Sequence, residues 1–302
     1  MKITDIQLGH LSVPLKTPFK TALRTVSHVD DVLVKIHTDT GTIGYGSAAP
    51  TAEITGDTKS SITSAIEGDL KKQLIGLSIE QFEEVMVHLG TSPTDNTSAR
   101  AAVDIALYDL YGQFHQAPLY QLLGGCQQEL ITDITISVND PEEMVRDSLD
   151  AVCKGFTILK LKVGTDPEKD IERLHQVWER TGHTIQLRLD ANQGWTREES
   201  VYVMRKVEDA GIRIELVEQP VKAHDLEGLK FVKDHISIPV VADESAFSPE
   251  DVLKIIQMGA ADLINIKLMK TGGIYNALKI CDMAEKAQVE CMIGCMLESK
   301  IS

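Results

Sequence analysis

The chain has 302 residues, 43% of them hydrophobic and 25% charged, which is enough for a sizeable core in one large domain or two ordinary ones. A net charge of −15 argues against a nucleic acid or an anionic membrane surface as partner, since either requires clustered Lys and Arg. The five cysteines form no C-x-x-C pair, the start (Met1-Lys2-Ile3-Thr4-Asp5) has no secretory character, and no apolar run could span a bilayer, so a cytoplasmic protein with reduced thiols is expected.

In chain order, residues 2–13 alternate apolar and polar, 30–38 read as a strand, and the glycine-rich stretch 41–46 punctuates a hairpin. Gly41-Thr42-Ile43-Gly44-Tyr45-Gly46 lies between two strands and opens no helix, so it is not a nucleotide loop. Helical spacing follows over 57–72, 78–89 and 97–115, with Asn96-Thr97-Ser98 read as a helix cap in preference to a glycosylation site. Strands followed by helices indicate an α+β unit over residues 1–125, with Gly124-Gly125 at its boundary.

From residue 126 onward the pattern changes. Seven β-branched runs (131–138, 157–163, 185–190, 213–218, 238–243, 262–268 and 290–296) alternate with helical stretches. Asp140-Pro141, Asp166-Pro167 and Ser248-Pro249 each place a capping residue before a proline at a first helical position. A period of about 25 residues predicts a parallel sheet wound as a TIM-like (β/α) barrel. The count stops at seven strands, so the expectation is an incomplete barrel over 126–302, taken from a longer protein.

Side chains at the C-terminal ends of barrel strands converge on one site. Here those ends carry Lys160 and Lys162, then Asp190, Glu218, Asp243 and Lys267, spaced 28, 28, 25 and 24 residues apart from Lys162 onward. Chemical residues thus recur with the period of the fold. Taken singly, Asp190 and Asp243 also suit helix caps. Three converging carboxylates would repel one another without a cation between them, and an all-oxygen set favours a hard ion such as Mg²⁺. Lys160 and Lys162, two apart on one strand, face the same side, and their mutual proximity near a metal is expected to lower both pKa values. Lys267, four strands on, stands across the mouth from Lys162, which places one base on each face of a planar intermediate.

These residues lie in motifs that identify the chain as a member of the enolase superfamily, in its muconate-lactonizing subgroup, and that resemble the dipeptide epimerases. The motifs are Lys160-Leu161-Lys162-Val163-Gly164, Asp190-Ala191-Asn192-Gln193-Gly194-Trp195, Glu215-Leu216-Val217-Glu218-Gln219-Pro220, Ala242-Asp243-Glu244-Ser245 and Asn265-Ile266-Lys267-Leu268-Met269-Lys270-Thr271-Gly272-Gly273. The resemblance spans the chain and implies that residues 1–125 cap the barrel mouth. It implies Asp190, Glu218 and Asp243 as Mg²⁺ ligands, Lys162 and Lys267 as the acid/base pair of a 1,1-proton transfer through an enediolate, and Lys160 and Asn192 as substrate contacts. Residues 17–25 resemble the specificity loop of L-Ala-D/L-Glu epimerases, in which the arginine matching Arg24 pairs with an acidic side chain. The stretch 54–57 resembles their second capping loop. By the same likeness Thr135 faces the site, although a strand threonine with no role would look the same, and Met296 at the end of the seventh strand is expected to line the pocket. The implied partner is a small molecule, an acidic dipeptide, with a homo-oligomer left open. Dipeptide epimerases hold the substrate amino group with an Asp-x-Asp pair on an eighth strand, which has no counterpart in this chain, so o-succinylbenzoate synthase, N-succinylamino acid racemase and muconate cycloisomerase remain alternatives. Gly272-Gly273, opening a helix, suits either an anionic group or a tight turn, and Cys291 and Cys295 are expected to be core thiols.

Overall fold

The computed structural model describes residues 1–126 and 129–302. Three antiparallel strands, β1 (Ile3–Lys20), β2 (Thr25–Thr38) and β3 (Ile43–Ala48), form the first sheet in the order β1-β2-β3. The glycine-rich stretch is the β2–β3 hairpin, as its sequence predicts. Helices α1 (Lys59–Ala65) and α3 (Thr97–His115) pack on this sheet, α2 (Phe82–Gly90) packs on α3, and Asn96 caps α3 by accepting a hydrogen bond from Ala99 N at 2.8 Å. The long α3 lies close against β3. A Cβ at Gly46 would sit 2.1 Å from Ala102 O, so only glycine allows this approach.

The second sheet is parallel, in the sequential order β4 (Ile134–Ile136), β5 (Ile158–Lys162), β6 (Gln186–Asp190), β7 (Ile214–Glu218), β8 (Val240–Ala242), β9 (Leu263–Ile266) and β10 (Glu290–Ile293). Among the described residues it has seven strands, with β4 and β10 at its edges. Helices α4 (Pro141–Cys153), α5 (Pro167–Thr181), α6 (Arg197–Asp209), α7 (Leu226–His235), α8 (Pro249–Met258) and α9 (Ile274–Lys286) connect successive strands, giving the TIM-like (β/α) arrangement that the period implies. Of the three proline-preceded caps, Asp166 and Ser248 accept hydrogen bonds from Lys169 N and Asp251 N, whereas Asp140 makes no side-chain cap. No helix among the described residues is long and apolar enough to cross a membrane.

Two contacts fix the first sheet over the mouth of the second. At the end of β1, Lys20 N donates to Ser137 Oγ at 3.1 Å, Lys20 Nζ donates to Asn139 Oδ1 at 2.7 Å, and Lys20 O accepts from Val138 N at 3.2 Å. On the other side, the buried carboxylate of Asp104 in α3 accepts from Ile274 N at 2.6 Å and Tyr275 N at 3.3 Å, which caps α9. Gly273 (φ +117°) permits this, since a Cβ there would lie 2.2 Å from Asp104 Cγ. Asp104→Ala leaves those amides unpaired and is expected to destabilise the protein by about 1–2 kcal/mol, with Asp104→Asn closer to wild type. Urea unfolding of the three proteins measures this directly.

Candidate active site

The strand ends bring the predicted residues together in register. Lys162 aligns with Asp190, and Asp190 with Glu218, across the tops of β5, β6 and β7. Asp243 follows β8 directly and Lys267 follows β9. One oxygen from each of Asp190, Glu218 and Asp243 lies within 4.8 Å of the others, and all three side chains are buried. This all-oxygen donor set fits a hard divalent ion such as Mg²⁺. Asp243 also pairs with the buried Lys270, whose Nζ lies 2.6 Å from Asp243 Oδ1.

The lysines meet these carboxylates. Lys160 Nζ lies 2.9 Å from Asp190 Oδ2 and 2.7 Å from Glu218 Oε2, and Lys162 Nζ lies 2.6 Å from the same Asp190 oxygen. Lys267 Nζ pairs with Asp243 Oδ2 and stands 3.8 Å from Glu218 Oε1. Lys160 and Lys162 therefore share one face of β5, as their spacing predicts.

Their electrostatics diverge. Burial, reinforced by the Lys160 and Lys267 charges, holds Lys162 below the ordinary lysine range against the pull of Asp190. For Lys267, burial works downward, but Asp243 and Glu218 outweigh it and the pKa rises. Lys160 departs from expectation. Burial lowers it too, yet Asp190, Glu218 and Asp243 together raise it well above the usual value. It sits between carboxylates, and those attractions exceed the repulsion from its neighbour. Burial and the adjacent Asp190 push Glu218 up to about 7.

A cleft of about 250 Å³ opens over this cluster, lined by Phe19, Thr21, Arg24 and Ile54 from the first unit and by Thr135, Lys160, Lys162, Asn192, Lys267 and Met296 from the second. Every residue expected to contact substrate thus reaches one cavity. A larger hollow of about 610 Å³ lies at the opposite end of the strands, around Thr157, Gln186 and Arg213, away from the carboxylate triad. Phe19 places its ring 5.9 Å from Lys162 Nζ.

Backbone strain concentrates beside the triad. Asn192 (φ +42°), Gln193 (φ +68°) and Gln219 (φ +38°) are left-handed non-glycine residues immediately after Asp190 and Glu218. Asn192 is held on three sides: its N–H donates to Asp190 Oδ1 at 3.0 Å, its Oδ1 accepts from Lys162 Nζ at 2.8 Å, and its Nδ2 donates to Glu244 Oε1 at 3.0 Å. Asp190 is therefore a local turn-former as well as a member of the triad.

Sequence reasoning missed several participants. Lys270, fully buried, donates to the carbonyls of Asp243, Ala246 and Asn265. Asn265 Nδ2 donates to Glu218 Oε1 at 2.9 Å. Glu244 is buried with Oε2 unpartnered, and burial raises it to about 7. All three stand inside recognised motifs, but only Lys270, a charge close to Leu268 and Met269 beyond a strand, carries a local signal; Asn265 lies within β9 and Glu244 between Asp243 and Ser245. Cys291 and Cys295, expected in the core, are exposed: Cys291 lies on the edge strand β10, and Cys295, beyond the end of that strand, lines the cleft.

Residues 3–124 match the N-terminal domain of the mandelate racemase / muconate lactonizing enzyme family, and residues 143–302 match the enolase C-terminal domain-like family. The chain belongs to the mandelate racemase / muconate lactonizing enzyme family. Among its relatives, an L-Ala-D/L-Glu epimerase of Clostridium acetobutylicum is 58% identical over all 302 residues, which correspond to 84% of that protein. A substrate-liganded structure of the Bacillus subtilis L-Ala-D/L-Glu epimerase superposes with a TM-score of 0.98 at 50% identity, covering 100% of this chain and 84% of that one. A dipeptide epimerase of Enterococcus faecalis V583, in complex with Mg and the dipeptide L-Leu-L-Tyr, superposes with a TM-score of 0.94 at 44% identity, covering 99% and 84%. Within the mandelate racemase / muconate lactonizing enzyme family, the site described above thus has structural neighbours solved with substrate or metal in place.

Proposed function

We propose that the protein is an Mg²⁺-dependent epimerase of an acidic dipeptide, of the L-Ala-D/L-Glu kind, acting at the α-carbon beside the peptide's C-terminal carboxylate. The observation that carries this reading is the pair Lys162 and Lys267, on strands four apart, lining one cleft over a buried carboxylate triad. The likeness to L-Ala-D/L-Glu epimerases from two organisms supports the substrate class.

Lys162 takes the α-proton from one face. The C–H electron pair moves into the carboxylate to give an enediolate, and Lys267 returns a proton to the opposite face. Their opposite pKa directions suit these roles in this direction, since one amine must be neutral while the other is charged. Mg²⁺ held by Asp190, Glu218 and Asp243 would supply positive charge to the substrate carboxylate oxygens as the proton leaves. Lys160 holds that carboxylate, and Arg24 offers a planar fork for the acidic side chain. Thr135, Asn192 and Met296 shape the remainder of the pocket.

Turnover of L-Ala-L-Glu, L-Ala-L-Leu and an N-succinylamino acid, each with Mg²⁺, tests the assignment. The acidic dipeptide is expected to give the highest kcat/KM, and preference for the N-succinyl compound would reject the reading. Because protonated Lys162 cannot accept a proton, kcat/KM in the direction that uses it should rise with pH. The plateau is expected below the ordinary lysine value of about 10.4, since Lys162 is shifted downward.

A further inference from the structure

Four cations line the cleft: Arg24, Lys160, Lys162 and Lys267. The three lysines are matched by buried carboxylates at the strand ends. Arg24 is different. Its counter-ion is Glu53, whose Oε2 lies 3.4 Å from Arg24 Nη1. Glu53 belongs to a one-turn helix, Ala52–Thr55, next to the cleft-lining Ile54. The Arg24 side chain is 17% exposed, whereas that of Glu53 is 49% exposed. The arginine is thus largely withdrawn from water, and its partner is half in water.

We propose that Glu53 is the resident counter-ion of Arg24 and sets how strongly the site selects a peptide with an acidic C-terminal residue. A single 3.4 Å contact to a carboxylate that is half in water is weak and easily exchanged. A peptide carboxylate can therefore displace Glu53, which returns to water at little cost while the guanidinium stays paired. A peptide with a neutral side chain has no replacement to offer. It either binds with the Arg24–Glu53 pair in place or leaves a largely buried charge without a partner, which is the costly outcome. Glu53 thus competes against acidic peptides and makes neutral ones tolerable. This inference rests on the acidic-dipeptide reading given above.

Glu53→Gln keeps size and helix propensity while removing the charge. Calorimetric titration of wild type and E53Q with L-Ala-L-Glu and with its neutral isostere L-Ala-L-Gln, in the presence of Mg²⁺, measures the selectivity. In E53Q the affinity for L-Ala-L-Glu should rise about two- to five-fold while that for L-Ala-L-Gln stays level or falls. Adding E53Q to Arg24→Gln should have no effect on either peptide. An acidic-to-neutral ratio that is unchanged or lower in E53Q overturns the proposal, as does a shift that persists without Arg24. Following α-hydrogen exchange of the same peptides separates the two claims. A ratio shift without exchange keeps the Glu53 role and rejects the epimerase, and exchange without a shift does the reverse. Binding of neither peptide overturns both.

Discussion

Lys162→Ala and Lys267→Ala should each reduce epimerisation of L-Ala-L-Glu by at least about 10²–10⁴-fold, the contribution of a positioned general acid or base. The more telling result is an asymmetry. A variant with one remaining lysine can still remove the α-proton from the face that lysine addresses, so it should exchange hydrogen in one epimer only, and the exchanging epimer should reverse between the two variants. A purely structural role for either lysine would depress both epimers alike. The control matters because both amines are buried against carboxylates, and their removal leaves Asp190 or Asp243 short of a partner. Undiminished interconversion in either variant would exclude two-base chemistry.

Asp190→Asn is expected to weaken Mg²⁺ binding by about 100-fold or more. It neutralises one of three carboxylates whose oxygens lie within 4.8 Å of each other, and even groups that only support metal ligands are worth about 10–100-fold. The readout is independent of turnover. In wild type, saturating Mg²⁺ should raise Tm by on the order of 5 °C, as a ligand bound only to the native state does. D190N should lose that increment. The metal-free protein is nevertheless expected to fold, because Lys160, Lys162, Lys267 and Lys270 already offset the triad's charge. An Mg²⁺-dependent Tm shift retained in D190N would place the ion elsewhere.

Much of this was legible in the sequence because the fold imposes a period and the chemistry follows it. Strand ends about 25 residues apart single out Lys162, Asp190, Glu218, Asp243 and Lys267. Boundaries were less legible. The alternation at 2–13 undercounts β1, which runs on to Lys20 through a register shift between Pro14 and Phe19, and pairing with β2 is what sustains it. The helix read over 57–72 is instead α1 followed by a five-residue π-helical turn, Ile66–Leu70, and a short final turn. The run at 131–138 keeps only three residues of ladder, since β4 pairs on one side alone. Least legible were contacts between segments far apart in the chain. Nothing in local patterning links Glu53 to Arg24, Asp104 to the start of α9, or Glu244 to Asn192. Those pairings exist because folding brings separate segments over one mouth. The pKa direction of Lys160 failed for the same reason, since spacing revealed its like-charged neighbour but not the proximity of Glu218.

The central claim is proton transfer at the carbon beside the C-terminal carboxylate. Incubating the protein with L-Ala-L-Glu and saturating Mg²⁺ in D₂O, with proton NMR of the glutamyl α-position, tests it most directly. The expected result is Mg²⁺-dependent loss of the α-proton signal together with appearance of deuterated L-Ala-D-Glu, and a mirror result starting from L-Ala-D-Glu. Retention of full α-proton intensity in both peptides under those conditions would contradict it.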